Sequence, residues 1–437
     1  MSDLYQRNTG AVRPKLVNIM KTWWPTLIAG LAIAFEALVY NIRFGDFSAK
    51  YAEMASASPG DLIIHPGNGR IIVDGIVPYF MSHCLVVFLM LTVVAVVILL
   101  YNIAKILKIH GVKFNIIAAL GLVILFPFGP IFASAGPFAT ILVYLWPAAA
   151  MAYGITILTD KKTSILQFIL KLCAIFYACN QEQFAIMTLM LFISFFIRKL
   201  FAKEKISWQQ IIGLVIAAIS TTILVAVDLL TRVDNKTEMR LFFPNFAQIP
   251  LPRKIDMGFV DTMQHFFVNP FFLLFVVLIL ILILAIKRKK LIAGAIASAQ
   301  LILLFVPNSN EIVSKVNLII ASWNIKNYSV LLSTNGVPQS SIHSMASLMP
   351  DLYFLAMIAL FVWSLTQILP TRKSRITLIY ILFVGFCARM ILSFSPTIYA
   401  SADRTFFPIL LALFFVFLWL IKDLFFVKKI ASRAESV

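Results

Sequence analysis

About a dozen runs of apolar residues, each long enough to cross a bilayer, fill this chain of 437 residues. A transmembrane helix needs roughly 20 apolar residues, and in lipid every backbone N–H and C=O must find its partner inside the segment. A chain built this way folds as a bundle of helices in a membrane. Composition agrees: 61% of residues are hydrophobic, 13% are charged and the mean hydropathy is +0.93. The expected spans are Trp23–Tyr40, Tyr79–Ala104, Asn115–Phe132, Phe138–Leu158, Ser164–Cys179, Gln183–Ile197, Trp208–Leu230, Phe267–Ile286, Leu291–Val306, Asp351–Leu369, Ile376–Ser395 and Phe406–Ile421. Pro127-Phe128-Gly129-Pro130 should kink or end the third of these.

The links between runs alternate. Of the 37 Lys and Arg, 24 fall on one set of links and 11 on the other, while Lys171 and Arg389 lie inside apolar runs. Basic links such as Lys287-Arg288-Lys289-Lys290 stay cytoplasmic. The net charge of +18 therefore reads as membrane topology and not as a nucleic-acid surface. Both termini are expected in the cytoplasm, with the N-terminus read as an uncleaved signal anchor. The expected organisation is one polytopic membrane domain over 1–437, with long outward loops at 41–78, 231–266 and 307–350 and a short one at 396–405.

Cys84, Cys173, Cys179 and Cys387 lie in or beside apolar runs without metal-ligand spacing, so they read as buried small hydrophobes. The chain has no P-loop, GxGxxG, GxSxG or HExxH pattern. No cofactor is expected, and no spacing supports a divalent metal.

Candidate chemistry gathers on the outward links. Asp46 follows the first span closely, where a rigid helix end would hold a carboxylate near lipid-linked headgroups and let it serve as general base. Arg70, after Asn68-Gly69, reads either as an anion clamp or as a structural partner of Asp74 or Asp46. Asn180-Gln181-Glu182-Gln183 joins two short apolar runs, either as a tight outer turn or with Asn180 and Glu182 lining a cavity. Arg389 within a span and Arg404 just before the last one suit a phosphate, since guanidinium grips it in a fork and keeps its charge. The alternative for both is an internal ion pair, such as Arg389 with Glu36 or Arg404 with Asp403. Lys171 can snorkel to the inner face.

These features resemble the GT-C glycosyltransferases, and more closely the bacterial Gtr-type enzymes and related polytopic families of surface-glycan assembly. The resemblance rests on Gly45-Asp46-Phe47, Asn68-Gly69-Arg70, Tyr144-Leu145-Trp146-Pro147, Asn180-Gln181-Glu182 and Arg404-Thr405-Phe406-Phe407. It implies an all-α GT-C-like membrane protein of about 12 transmembrane helices with helical outward loops, in the plasma membrane. It also implies inverting transfer of a sugar from a polyprenyl-phosphate donor to a wall polymer, teichoic acid or polysaccharide on the outer face. Asp46 would be catalytic; Arg70, Asn68, Asn180, Glu182, Tyr144 and Trp146 would bind substrate; Arg404 and Arg389 would hold the carrier phosphate. Where many GT-C enzymes carry paired acids, Asp46 is preceded by Gly45, leaving Glu36 or Glu182 as the second carboxylate. The competing readings are a multi-pass transporter or lipid-linked glycan flippase, and a ligase or polymerase of whole lipid-linked glycans.

Overall fold

The computed structural model describes residues 12–55, 69–109, 111–160, 163–231, 242–244, 246–268, 271–305 and 345–426. Among these residues the protein is all-α, with no strand. Eight helices are long and apolar enough to cross a membrane, or up to ten if each of two bent helix pairs is a single span. The protein is thus an all-α membrane protein. Its helices divide into two compact units, 1–232 and 233–437.

Unit 1 begins with α1 (Val12–Phe44) and α2 (Asp46–Ala55), separated by Gly45 at φ +69°. A short apolar helix, α3 (Ile71–Ser82), precedes α4 (Leu85–Leu107). Next comes α5 (Val112–Leu125), bent by 44° from α6 (Phe128–Ala135). The bend falls where the sequence predicts it. Phe126, just ahead of Pro127, is pushed into extended backbone at ψ 127°, as proline's ring demands of its predecessor. After α7 (Pro137–Leu158) come α8 (Ile165–Ala178), α9 (Glu182–Phe201) and α10 (Trp208–Thr231).

The central helix of unit 1 is α7, 78% buried within the protein, whereas α1, α9 and α10 bury only 28% and turn most of their apolar surface outward. That difference is the signature of a helix enclosed by others rather than by lipid. α7 packs on α4 and α8. Beside it Ile157, Phe168, Ile175, Cys179, Phe192, Ala217 and Leu224 form one apolar cluster. Lys171 does not snorkel: its side chain is buried and ion-paired with Asp160 at 2.5 Å, and Lys105 reaches the same carboxylate at 2.8 Å. Burial would raise the Asp160 pKa, but the two ammonium groups hold it below the ordinary value.

Unit 2 comprises α11 (Leu251–Phe267), α12 (Phe272–Lys287), α13 (Leu291–Phe305), α14 (Met345–Ile368), α15 (Arg372–Met390) and α16 (Phe407–Phe425). Here α16 is the central helix, 89% buried and packed on α12 and α15. Where the sequence predicts one span from Phe267, the structure breaks the chain: α11 ends at Phe267 and α12 starts at Phe272. A 17-residue helix thus occupies 251–267, where the sequence suggests a loop. Most of the third, 307–350, lies outside the described residues.

Candidate functional site

Unit 1 brings six of the sequence-selected residues to the region around α3 and the first half of α7. Asp46 starts α2, and its Oδ2 accepts a hydrogen bond from the Phe138 N–H at 2.7 Å. The carboxylate thus sits on the N-terminus of α7, where unpaired amides and the helix dipole favour an anion. Gly136, at φ +80°, makes this approach possible, because a Cβ there would collide with the Asp46 carboxylate. Burial raises the Asp46 pKa, while the Phe138 amide and the Lys50 charge pull it down; the net shift is upward. Aromatic rings wall this corner: Phe138 lies 5.4 Å from Phe47 and 4.9 Å from Phe88. Trp146 packs 5.9 Å from Phe88, and its Nε1 donates to Thr92 at 3.4 Å.

Arg70 precedes α3. Its Nε donates to both Glu182 carboxylate oxygens, at 2.7 and 3.0 Å, and Nη1 donates to Asp74 at 3.3 Å. Burial alone would lower the Arg70 pKa, but Glu182 and Asp74 leave it raised, with the Tyr144 hydroxyl near enough to contribute. The 180–183 segment forms the turn between α8 and α9. Gln181 makes the turn, its side chain accepting from the Phe184 N–H at 2.9 Å as the N-cap of α9. Asn180 is buried and points inward, its Oδ1 accepting from the Ile72 and Val73 amides at 2.9 and 3.1 Å. One amide side chain thereby satisfies two of the open donors at the start of α3. Gly69 sets the approach of this segment, since a Cβ there would run into the Leu224 carbonyl of α10. Asn68 lies outside the described residues.

Asp46 meets the start of α7, and Arg70 lies within electrostatic reach of Tyr144 further along it. Phe138 and Tyr144 are six positions apart, about 9 Å along a helix axis. A partly buried carboxylate with a raised pKa and a partly exposed guanidinium face one stretch of an aromatic-lined helix. That arrangement can accept a proton at one end and bind a polar or anionic group at the other.

Unit 2 holds Arg389 and Arg404. Arg389 is fully buried in α15, ion-paired with Asp261 of α11, and its guanidinium lies 4.3 Å over the Phe406 ring. It thus makes an internal ion pair, with Asp261. Arg404 sits half-buried in the turn ahead of α16 and makes no ion pair among the described residues. Asp403 beside it faces His265 instead, at 3.9 Å. From sequence Asp261, His265 and Tyr399 receive no role, and Asp403 only that of a partner for Arg404. The detectable signal was the four-residue spacing of Asp261 and His265, which puts both on one side of a helix once the segment is read as helical.

Among the described residues no group of three or more His, Cys, Asp or Glu side chains is placed to hold a metal ion. No protein-family model, no curated protein and no solved structure matches this chain.

Proposed function

We propose that this protein is a membrane glycosyltransferase of the GT-C kind, moving a sugar from a polyprenyl-phosphate donor to a cell-envelope glycan on the outer face. In this reading the eight long helices, the two bent pairs and the short helices α8 and α13 make twelve crossings, and α3 stays in the first outward segment. The observation that carries the reading is the Asp46 carboxylate seated on the first amide of α7. Asp46 is the base: burial raises its affinity for a proton, and a helix end fixes its position. Its proton comes from the acceptor hydroxyl as the hydroxyl oxygen attacks the anomeric carbon and the carrier phosphate departs. Arg70, held from behind by Glu182 and Asp74, binds the sugar. Arg389 holds α11 against α15.

A flippase or transporter would use the buried Asp261–Arg389 pair, but it gives no role to a carboxylate seated on the end of α7. The deciding experiment is transfer of radiolabelled sugar from a polyprenyl-phosphate donor by the purified full chain. Wild type should form product, and Asp46→Asn should lower kcat by about 10²–10⁴-fold. Asparagine still accepts from the Phe138 amide, so the fold persists. Normal turnover by the folded variant would sink the base assignment, and no transfer by wild type would sink the whole reading.

A further inference from the structure

Lys105 of α4 and Lys171 of α8 donate to the same oxygen, Asp160 Oδ2, just past the end of α7. The two ammonium groups hold the Asp160 carboxyl below its ordinary value, so it is ionised at neutral pH. Two cations thus share one anion, and the cluster keeps a surplus positive charge. Its hydrogen bonds do not close either. Each ammonium carries three N–H donors, and Asp160 Oδ2 is the acceptor both of them use among the described residues. Lys171 is the sharper case, because its side chain is only 3% exposed and a buried ammonium with idle donors is costly. Polar neighbours are committed elsewhere: Gln210 accepts from Lys199 and donates to the Leu158 carbonyl, and Glu204 pairs with Arg198. Tyr153, within electrostatic reach of Asp160, adds a hydroxyl to the same corner.

The cluster opens on the Lys105 side. Exposure falls from 35% at the Lys105 side chain to 16% at Asp160 and 3% at Lys171. Exposed aromatic rings surround this end of the unit. Tyr101, one turn before Lys105, is exposed and packs 4.7 Å from Trp23, and Trp24 next to it is exposed as well. Trp208 is exposed and packs 5.0 Å from Phe168, one turn ahead of Lys171. Tryptophan and tyrosine gather where acyl chains meet headgroups, which is also the depth of the lipid phosphates.

We propose that Lys105 and Lys171, held together by Asp160, form a phosphate-binding site that is filled in the membrane by the phosphodiester of an anionic lipid headgroup. A phosphodiester carries a single negative charge, which cancels the surplus, and its free oxygens accept from the idle donors of the lysines. Basic pockets between transmembrane helices take anionic headgroups in this way. The Asp160 carboxylate repels a second negative charge, so a phosphodiester is preferred to the dianion of inorganic phosphate. The surplus cation in turn repels a choline or ethanolamine group, so an anionic lipid is preferred to a zwitterionic one. None of these residues takes part in the transfer reading, and the site does not depend on it.

The test is thermal unfolding of the full chain in detergent micelles, titrated with dihexanoyl-phosphatidylglycerol, dihexanoyl-phosphatidylcholine or inorganic phosphate. A ligand that binds only the folded state raises the unfolding midpoint. Phosphatidylglycerol should raise it saturably, and the other two probes should do so only at much higher concentration. In Lys105→Gln, which leaves Lys171 and Asp160 as a balanced pair, half-saturation by phosphatidylglycerol should rise about tenfold, the loss of one hydrogen bond between charged groups. Lys105→Arg should restore it. A saturable rise with inorganic phosphate and none with phosphatidylglycerol would overturn the lipid assignment. An equal rise with phosphatidylcholine, no rise with any probe, or an unchanged half-saturation in Lys105→Gln would overturn the site and leave a plain ion-paired cluster. None of these readouts uses transfer activity, so they stand or fall separately from the radiolabel assay.

Discussion

At the scale of single residues, two ionisable groups with opposite environments separate function from structure. Asp46 is raised by burial, so it takes up a proton while an ordinary aspartate would remain ionised. A base must be ionised to work, which places the acid limb of the transfer rate above pH 3.8, the ordinary value. The same shift has a stability sign. A raised carboxyl binds its proton more tightly in the folded state, so its contribution is favourable at low pH. That contribution is lost as pH rises from the ordinary value through the raised one. Asp46→Asn should abolish this component, and thermal unfolding of both proteins across pH 4–8 in detergent measures it. Arg389 is the opposite case. It is buried against Asp261, and removing one partner strands a charge in a low-dielectric interior. Arg389→Gln should destabilise unit 2 by about 3–5 kcal/mol, read as a lowered unfolding midpoint. A variant as stable as wild type would argue that Arg389 serves a ligand instead of its own fold.

At the scale of elements, the helices were legible and the polar ones were not. Hydropathy finds a run such as Leu85–Leu107 because nearly every side chain in it prefers lipid or core. It also locates Pro127, since a proline breaks a helix by a local rule. α11 is invisible to that method. Its seventeen residues include Arg253, Lys254, Asp256, Asp261 and His265, so the segment reads as a polar loop. What folds it is the burial of Met257, Met263, Phe266 and Phe267, with Phe267 stacked on Phe354, together with the Asp261–Arg389 pair, whose partners are 128 positions apart. The Asp46 site shows the same limit. The sequence picks out Asp46 by its place after α1, but its partner amide, 92 positions later, belongs to α7. Gly136 is the joint between them, because it needs a positive φ and leaves no room for a Cβ beside Asp46. Gly136→Ala should cost about 1–2 kcal/mol for the backbone alone, with the displaced carboxylate adding to it. It should also reduce transfer, because the base moves. Unaltered stability and kinetics in that variant would detach Asp46 from the end of α7.

At the scale of the whole molecule, the alternation of basic and acidic links remains the reason to look for chemistry on one face. In unit 1 one end of the bundle holds Lys105, Asp160 and Lys171 in a single ion-paired cluster. The end carrying Asp46 and Arg70 has partly exposed charged groups, and so does the turn at Asp403 and Arg404 in unit 2. Left-handed lysines finish helices at Lys108, Lys203 and Lys289, where a cation also complements the helix C-terminus. All three lie on links that the charge rule assigns to the cytoplasm. If that rule governs this chain, cysteines placed at exposed Ser48 and Ala400 should react with a membrane-impermeant maleimide on intact cells. Cysteines replacing Lys203 or Lys290 should react only after permeabilisation, in a background where the four native cysteines are serine. Labelling of Ser48→Cys without Ala400→Cys would put an odd number of crossings between them and break the charge rule for one of the two links. Labelling of neither would place both sites on the cytoplasmic face, where a lipid-linked donor for an envelope glycan is made and not consumed.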